Sequence, residues 1–168
     1  MAAVDADEQF LVATPLGAAV VTVGRRGLRA LDLPLDPPPL PAAPPTLTEA
    51  VRCYLAGEPA DVPLDLSALP SLAQQVLRLV AAIPRGEVRT YAWLAQQIGR
   101  PHAARAVGQC VARNPLPLLI PCHRVVGTDG SLRGYRCGPH GVEMKRALLV
   151  REGAWPLRPL LQQVVTWG

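Results

Sequence analysis

Short β-prone runs alternate with turns in the first part of the chain. The stretch QFLVATPLGAAVVTVGRRGLRALDLP breaks its apolar runs at residues 15–17 and 24–27, which predicts two or three antiparallel strands. The next stretch, LPLDPPPLPAAPPTL, is too rich in proline for a central strand or a helix interior, so we predict an extended connection. TLTEAVRCYLAG then predicts a short helix that ends at Gly57.

From Ser71 onward the apolar positions recur at helical spacing. Ser71 and Gln74 fit a capping box at the start of a first helix. A second helix is predicted after an N-cap at Thr90, and a third is predicted to open at Pro101. The third helix would turn four residues inward: Ala103, Val107, Cys110 and Val111. The second and third helices make a helix-turn-helix candidate, although any small helical bundle contains such pairs.

These elements predict an α+β protein with two domains. Residues 1–70 are predicted to form an N-terminal α/β domain with an antiparallel sheet, and residues 71–168 a helical domain. The first residues are acidic where a signal peptide would be basic, and no apolar run approaches the length of a membrane span. We therefore expect a cytoplasmic protein that does not bind membranes.

Charge is divided unevenly along the chain. Residues 1–70 hold nine acidic and four basic side chains, whereas residues 71–168 hold four acidic and thirteen basic ones. A compact basic region is typical of proteins that bind a polyanion such as nucleic acid, although basic surfaces also occur for solubility alone.

The cysteines and histidines show no metal-site spacing and no C-x-x-C pair. We therefore expect free thiols, no bound metal and no cofactor. The residues in question are Cys53, Cys110, Cys122, Cys137, His102, His123 and His140.

One cysteine, Cys122, lies in the apolar stretch LPLLIPCHRVV, directly before His123 and Arg124. A buried core thiol is the ordinary interpretation of such a residue. A nearby imidazole or cation also favours the thiolate, which is the nucleophilic form. Adjacency in sequence does not establish side-chain contact, so both interpretations stay open at this point.

Four ordered motifs nevertheless resemble the O6-alkylguanine-DNA alkyltransferases, also called methylated-DNA-protein-cysteine methyltransferases. They are IPRGEVRTYAWLA, GRPHAARAVGQCVARNP, IPCHRVVGTDGSLRGY and KRALLVREG, and the similarity is close over residues 71–153. Members of this family bind double-stranded DNA and remove an alkyl group from guanine in a single-use reaction. The resemblance implies a monomer whose N-terminal domain is ribonuclease H-like.

The resemblance also implies roles for four residues of the reaction. Cys122 aligns with the cysteine that accepts the alkyl group irreversibly. His123 aligns with the base that acts on it through an ordered water, and Glu152 with the carboxylate that orients this histidine. Tyr91 aligns with the tyrosine that donates a proton to N3 of the flipped guanine.

Four further residues align with DNA-contacting positions of the family. Arg105 corresponds to the arginine that fills the stack left by the extruded base. Ala104 and Gly108 correspond to small residues against the minor groove, and Asn114 to the hinge after the recognition helix.

The guanine pocket implied by the resemblance involves Val125, Tyr135, Arg136 and Lys145. Lys145 follows Tyr135 by ten positions, three more than the family pattern, so this loop is expected to be longer. Cys137 and His140 lie within it and are interpreted as incidental.

Three other classes of function fit parts of the sequence less well: an alkyltransferase-like binding module, a helix-turn-helix regulator and a cysteine hydrolase. The binding modules lack the cysteine, the recognition surface is poor in groups that read base edges, and nothing beyond Cys122 and His123 supports acyl transfer.

Overall fold

The computed structural model describes residues 7–58, 60–136 and 140–155. Within them the chain is an α+β protein, as predicted. It forms two compact units, one of Met1–Ala68 with Pro115–Leu119, the other of Leu69–Asn114 with Ile120–Gly168. The domain boundary at residue 70 stays a prediction.

Three antiparallel strands form the sheet of the first unit: β1 (Glu8–Thr14), β2 (Gly17–Gly24) and β3 (Gly27–Asp32), in that spatial order. Both predicted turns are present, and each is followed by a glycine with positive φ, 116° at Gly17 and 133° at Gly27. All three strands bury apolar side chains in the core of this unit. These include Val12, Ala19, Val21, Leu28 and Leu31.

Helix α1 (Pro45–Ala56) ends where the sequence predicts. Gly57 caps it in the left-handed conformation, and the Gly57 N–H donates to Tyr54 O. The proline-rich connection before it follows the edge of β1, since Leu11 N donates to Pro41 O and Ala43 N to Leu11 O. This pairing satisfies edge groups of β1 that a strand would otherwise expose.

The described part of the second unit contains four α-helices: α2 (Ser71–Ala81), α3 (Tyr91–Gln97), α4 (Ala104–Ala112) and α5 (Gly141–Arg151). Helices α2 and α3 both pack on α4. Two short strands, β4 (Arg89–Thr90) and β5 (Val125–Val126), pair in parallel. The sequence analysis missed this pairing, which brings the segment before α3 beside the segment after Cys122.

Two local predictions were wrong. The Ser71 side chain does not cap α2, because Pro70 occupies the N-cap and the Gln74 amide donates instead to Leu69 O at 2.9 Å. Helix α4 begins at Ala104 rather than at Pro101. The Ala103 N–H donates to Arg100 O, so Pro101 stands at the second position of a turn, which its fixed φ favours.

Candidate active site

Cys122 lies in a single turn of 3₁₀ helix, Cys122–Arg124, that follows a buried apolar run. The run contains Leu116, Leu118, Leu119 and Ile120. Cys122 itself is only 8% exposed, as expected for a stretch too apolar for a surface loop. Its backbone N–H donates to Ile120 O at 2.7 Å. The structure thus presents this thiol from a tight, buried turn.

Burial raises the pKa of Cys122, although a hydrogen bond from the Asn114 side chain and the charge of Lys145 act in the opposite direction. From the sequence it was open whether His123 and Arg124 make Cys122 a thiolate. The net direction is against the thiolate, because desolvation penalises the anion more than its neighbours stabilise it. The thiol form therefore predominates at neutral pH, and a nucleophilic role requires a base.

A candidate base follows directly in the sequence. His123 is 2% exposed, and its Nε2 lies 2.9 Å from Glu152 Oε1. Burial lowers the pKa of His123 despite this carboxylate, so the imidazole is neutral and carries one N–H. Because the carboxylate accepts, the hydrogen lies on Nε2, and Nδ1 keeps its lone pair. Nδ1 is buried and lacks a hydrogen-bond partner within the part of the chain that the structure describes.

Glu152 lies directly after α5, as its C-cap residue, and its side chain is 8% exposed. Burial alone would raise its pKa, but hydrogen bonds from His123 and Arg124 together lower the pKa of Glu152 to about 2. The carboxylate is therefore ionised at neutral pH, and the predicted partnership of Glu152 with His123 is present in the geometry.

The same carboxylate also binds Arg124, a contact that the sequence analysis did not predict. Arg124 Nε lies 2.9 Å from Glu152 Oε2, and Arg124 Nη2 lies 2.8 Å from Oε1. The remaining arm, Nη1, donates to Ile83 O at 2.6 Å. No spacing rule joins residues 124, 152 and 83, so only the folded arrangement shows this connection.

Lys145, predicted in the guanine pocket, is fully buried on α5. Its Nζ donates to Val125 O at 2.5 Å and to Leu132 O at 2.7 Å, and lies 6.0 Å from the centre of the Tyr91 ring. Burial lowers the pKa of Lys145 to about 8. The ammonium thus holds two carbonyls of the segment after Cys122, including that of Val125.

Tyr91 opens α3, whose N-cap Thr90 accepts a hydrogen bond from Trp93 N at 3.0 Å. Burial raises the pKa of Tyr91, Cys122 adds to this, and the charge of Arg133 opposes it. The phenol therefore holds its proton at neutral pH. A Cβ placed on Gly108 of α4 would lie 3.8 Å from the Tyr91 ring, which is an ordinary van der Waals contact, so this part of α4 lies directly beside the tyrosine.

Helix α4 carries three of the predicted DNA-contacting residues, and the fourth follows it. Arg105 is exposed, whereas Ala104 and Gly108 are partly buried. Asn114 follows α4, and its side-chain Nδ2 donates to Ile120 O at 2.8 Å. Asn114 therefore joins the end of α4 to the residues just before Cys122.

The other predicted pocket residues lie at different depths. Val125 is fully buried, and Tyr135 is 9% exposed with its ring edge-on to His123 at 6.4 Å between centroids. Arg136 is exposed. Cys137, in the expected longer loop, lies outside the described residues.

Two other thiols are described. Cys110, which was predicted to face inward, is only partly buried, and so is Cys53. Cys53 lies 3.4 Å from Glu49 Oε1, and α4 turns Val107 and Val111 further inward than Cys110. Burial raises the pKa of both thiols. Among the thiols the structure describes, Cys122 alone is adjacent in sequence to a buried histidine.

Searches for two other kinds of site gave negative results over the described part of the chain. No group of three or more potential metal-ligating side chains comes together there. No helix in these ranges has the length and apolar character needed to cross a membrane.

Comparison with known proteins points to one family. The family model described as 6-O-methylguanine DNA methyltransferase, DNA binding domain, matches residues 71–154. The methylated-DNA–protein-cysteine methyltransferase of Mycobacterium bovis is 41% identical over 132 residues, which span 74% of this chain and 78% of that protein.

Solved structures agree with this result. The O6-methylguanine methyltransferase of Mycobacterium tuberculosis superposes with a TM-score of 0.73 at 34% identity, covering 89% of this chain and 94% of that one. A structure of the M. tuberculosis protein OGT in complex with DNA gives a TM-score of 0.71 at 34% identity, over 88% of this chain and 93% of that one. The chain belongs to the methylated-DNA–protein-cysteine methyltransferase family.

Proposed function

We propose that this protein repairs O6-alkylguanine in double-stranded DNA by direct reversal, with Cys122 as the single-use alkyl acceptor. The observation that carries the proposal is the buried constellation of Cys122, His123 and Glu152, in which the imidazole is neutral and its Nδ1 is free to accept a proton. A thiol that must be deprotonated beside a neutral base is the arrangement that nucleophilic catalysis requires.

The reaction proceeds as one displacement at the alkyl carbon. Nδ1 of His123 takes the thiol proton through an ordered water, and Cys122 Sγ attacks the methyl group of O6-methylguanine. An S–C bond forms while the C–O6 bond breaks, and its electron pair passes into the purine. Tyr91 donates a proton to N3 and is reprotonated afterwards, so the hydrogen lost by the thiol ends on guanine. The thioether is stable, and the protein acts once.

The modified base must leave the duplex to reach this buried sulfur. Extruding a nucleotide costs a few kcal/mol, less for a damaged base. In the proposal the exposed Arg105 of α4 enters the vacated stack, and Ala104 and Gly108 allow α4 to approach the minor groove. Asn114 connects α4 to Cys122 through Ile120 O. Val125, Tyr135, Arg136 and Lys145 form or support the pocket for the base.

The finer features of the fold are part of the same proposal. We propose that α3 and α4 form a helix-turn-helix with α4 as the recognition helix; their mutual packing and short connection support this. We also propose that the N-terminal sheet unit is ribonuclease H-like, that the protein acts as a monomer, and that it works in the cytoplasm without a metal or other cofactor.

The test uses a duplex oligonucleotide that contains one O6-methylguanine. Incubation with purified protein should place one methyl group per molecule on Cys122, located by peptide mass spectrometry. Cys122→Ser should transfer nothing, while the matched variant Cys53→Ser should retain full transfer, because Cys53 lies on α1 in the first unit. A methyl group on another residue rejects the assignment of Cys122. Binding of the lesion without any transfer by wild-type protein would instead favour a binding module.

A further inference from the structure

The Arg124 guanidinium binds both carboxylate oxygens of Glu152, an arrangement called here the fork, and it also binds Ile83 O. Two of its nitrogens bind the two carboxylate oxygens at 2.9 and 2.8 Å, and the third nitrogen binds Ile83 O at 2.6 Å. Its side chain is 14% exposed, so water screens these contacts little. Ile83 lies just beyond the end of α2, which also packs on the Cys122–Arg124 turn. The fork thus ties the carboxylate to two other segments of the unit.

The carboxylate oxygen Oε1 is shared between two donors, His123 Nε2 at 2.9 Å and Arg124 Nη2 at 2.8 Å. We infer that Arg124 is a positioning residue of the alkyl transfer: it fixes the plane of the Glu152 carboxylate, and Glu152 in turn fixes His123 with Nδ1 as the proton acceptor. This inference rests on the proposed function, in which His123 is the base.

Fork geometry explains why an arginine serves here. A carboxylate held by one hydrogen bond can rotate about its terminal bond, whereas parallel contacts to both oxygens fix its plane. The remaining lone pair of Oε1 then points at His123 Nε2, which selects the tautomer. A lysine keeps the charge but offers no fork, so the two contributions of Arg124, charge and geometry, can be separated by substitution.

The charged groups around His123 determine how its protonation responds. Glu152, which follows α5, raises the pKa of His123, while Arg124 on the same turn and Lys145 on α5 lower it; burial, the largest cause, also lowers it. Helix α2 contributes one ionisable side chain, Arg78, which is exposed and bonded to Gln74. Removing the Arg124 charge therefore raises the pKa of His123.

The experiment measures the single-turnover rate of methyl transfer from duplex DNA against pH. For Arg124→Lys we expect a rate lower by about tenfold or more at every pH, as expected when a positioned catalytic base is misaligned, with the acid limb of the profile unmoved. For Arg124→Gln we expect a similar loss and an acid limb displaced to higher pH. Circular dichroism and thermal unfolding establish that each variant is folded.

A double-variant cycle tests whether Arg124 acts through Glu152. In the Glu152→Gln background, Arg124→Lys should cause no more than about a twofold further loss, because the carboxylate that it positions is absent. The matched control is Arg52→Lys, which removes a similar fork on Glu49, at 3.0 and 3.3 Å, on the exposed surface of α1. This control should transfer at the wild-type rate.

Two results would overturn the inference. One is that both Arg124 variants transfer methyl at the wild-type rate with an unmoved acid limb. The other is that Arg124→Lys lowers the rate equally in the wild-type and the Glu152→Gln backgrounds. If Arg124→Gln does not fold, Arg124→Lys and its cycle still decide the question. Failure of the proposed function is recognised separately, because wild-type protein would then transfer no methyl group to Cys122 at any pH.

Discussion

The sequence contains one lysine, Lys145, and the structure buries it completely. Its pKa is lowered by burial from 10.5 to about 8. A lysine whose pKa is lower in the folded state binds its proton more weakly there than in the unfolded chain. The free energy of unfolding therefore rises with pH between these two values, and the stabilisation is absent below pH 8.

Replacing Lys145 with methionine should remove this pH dependence. The difference between the two pKa values corresponds to about 3 kcal/mol, of which about 2.5 kcal/mol is gained by pH 10. The variant also loses the donor to Val125 O and Leu132 O, at about 1–3 kcal/mol for a buried carbonyl that is left without a partner. Near pH 7 this loss of hydrogen bonds is largely offset, because the variant no longer has to keep a charged ammonium group buried.

Urea unfolding of both proteins at about pH 7 and pH 10 measures the effect. We expect the stability difference between wild type and Lys145→Met to widen by about 2.5 kcal/mol at the higher pH. Arg146→Met is the matched control, since Arg146 is the exposed neighbour on α5 whose guanidinium lies 5.7 Å over the Trp155 ring. Its stability difference from wild type should not change with pH.

Isotopic labelling of lysine gives a direct second measurement. With one lysine in the chain, a single side-chain signal reports the titration of Lys145. A midpoint near 8 agrees with the burial argument. A midpoint near 10.5, or a difference between the two proteins that is constant with pH, would refute it.

Three further outcomes follow from the geometry. Arg105→Ala should slow methyl transfer from duplex DNA at least about tenfold but leave transfer from the free alkylated base unchanged, since only a base in a duplex has to be extruded. Equal rates for wild type and variant on duplex DNA would contradict the role of Arg105. Tyr91→Phe should slow transfer about 10²-fold without weakening DNA binding, as loss of a proton donor predicts; an unchanged rate would exclude that role. Gly27→Ala should destabilise the sheet unit by about 3 kcal/mol in urea unfolding, because the new Cβ would lie against the Pro63 backbone carbonyl. Gly17 has a similar φ but open space around it, so Gly17→Ala should destabilise the unit less. Equal losses of stability in the two variants would contradict the steric argument.

Periodicity and turn residues were sufficient for much of the fold. The three strands and the end of α1 at Gly57 follow from glycine positions whose backbone conformation few other residues adopt. The start of α4 did not follow, because proline fits both the first turn of a helix and the second position of a turn. The two-residue pairing of β4 with β5 joins segments 36 residues apart, and so short a run has no periodicity to detect.

Some residues of the candidate site could be predicted from the sequence and others could not. Cys122 and His123 are adjacent, so their chemistry was visible in the sequence, whereas the partnership with Glu152 came from the family resemblance alone. The fork of Arg124 and the burial of Lys145 were not predicted, because both residues ordinarily lie on the surface. Only tertiary structure determines which arginines and lysines lose their solvent.

An acceptor that is used once, as proposed for Cys122, must stay unreacted until it meets its substrate, and the protonation states of the site favour this. Burial holds Cys122 as the thiol and His123 as the neutral imidazole. The thiolate, which would react with any small electrophile, is therefore scarce in the resting protein. In the proposed mechanism, proton transfer to Nδ1 is coupled to attack on the alkyl carbon, so the nucleophile forms only when the modified guanine occupies the pocket. In that mechanism the ionised Glu152 stabilises the imidazolium that results, so this buried carboxylate contributes most during the transfer.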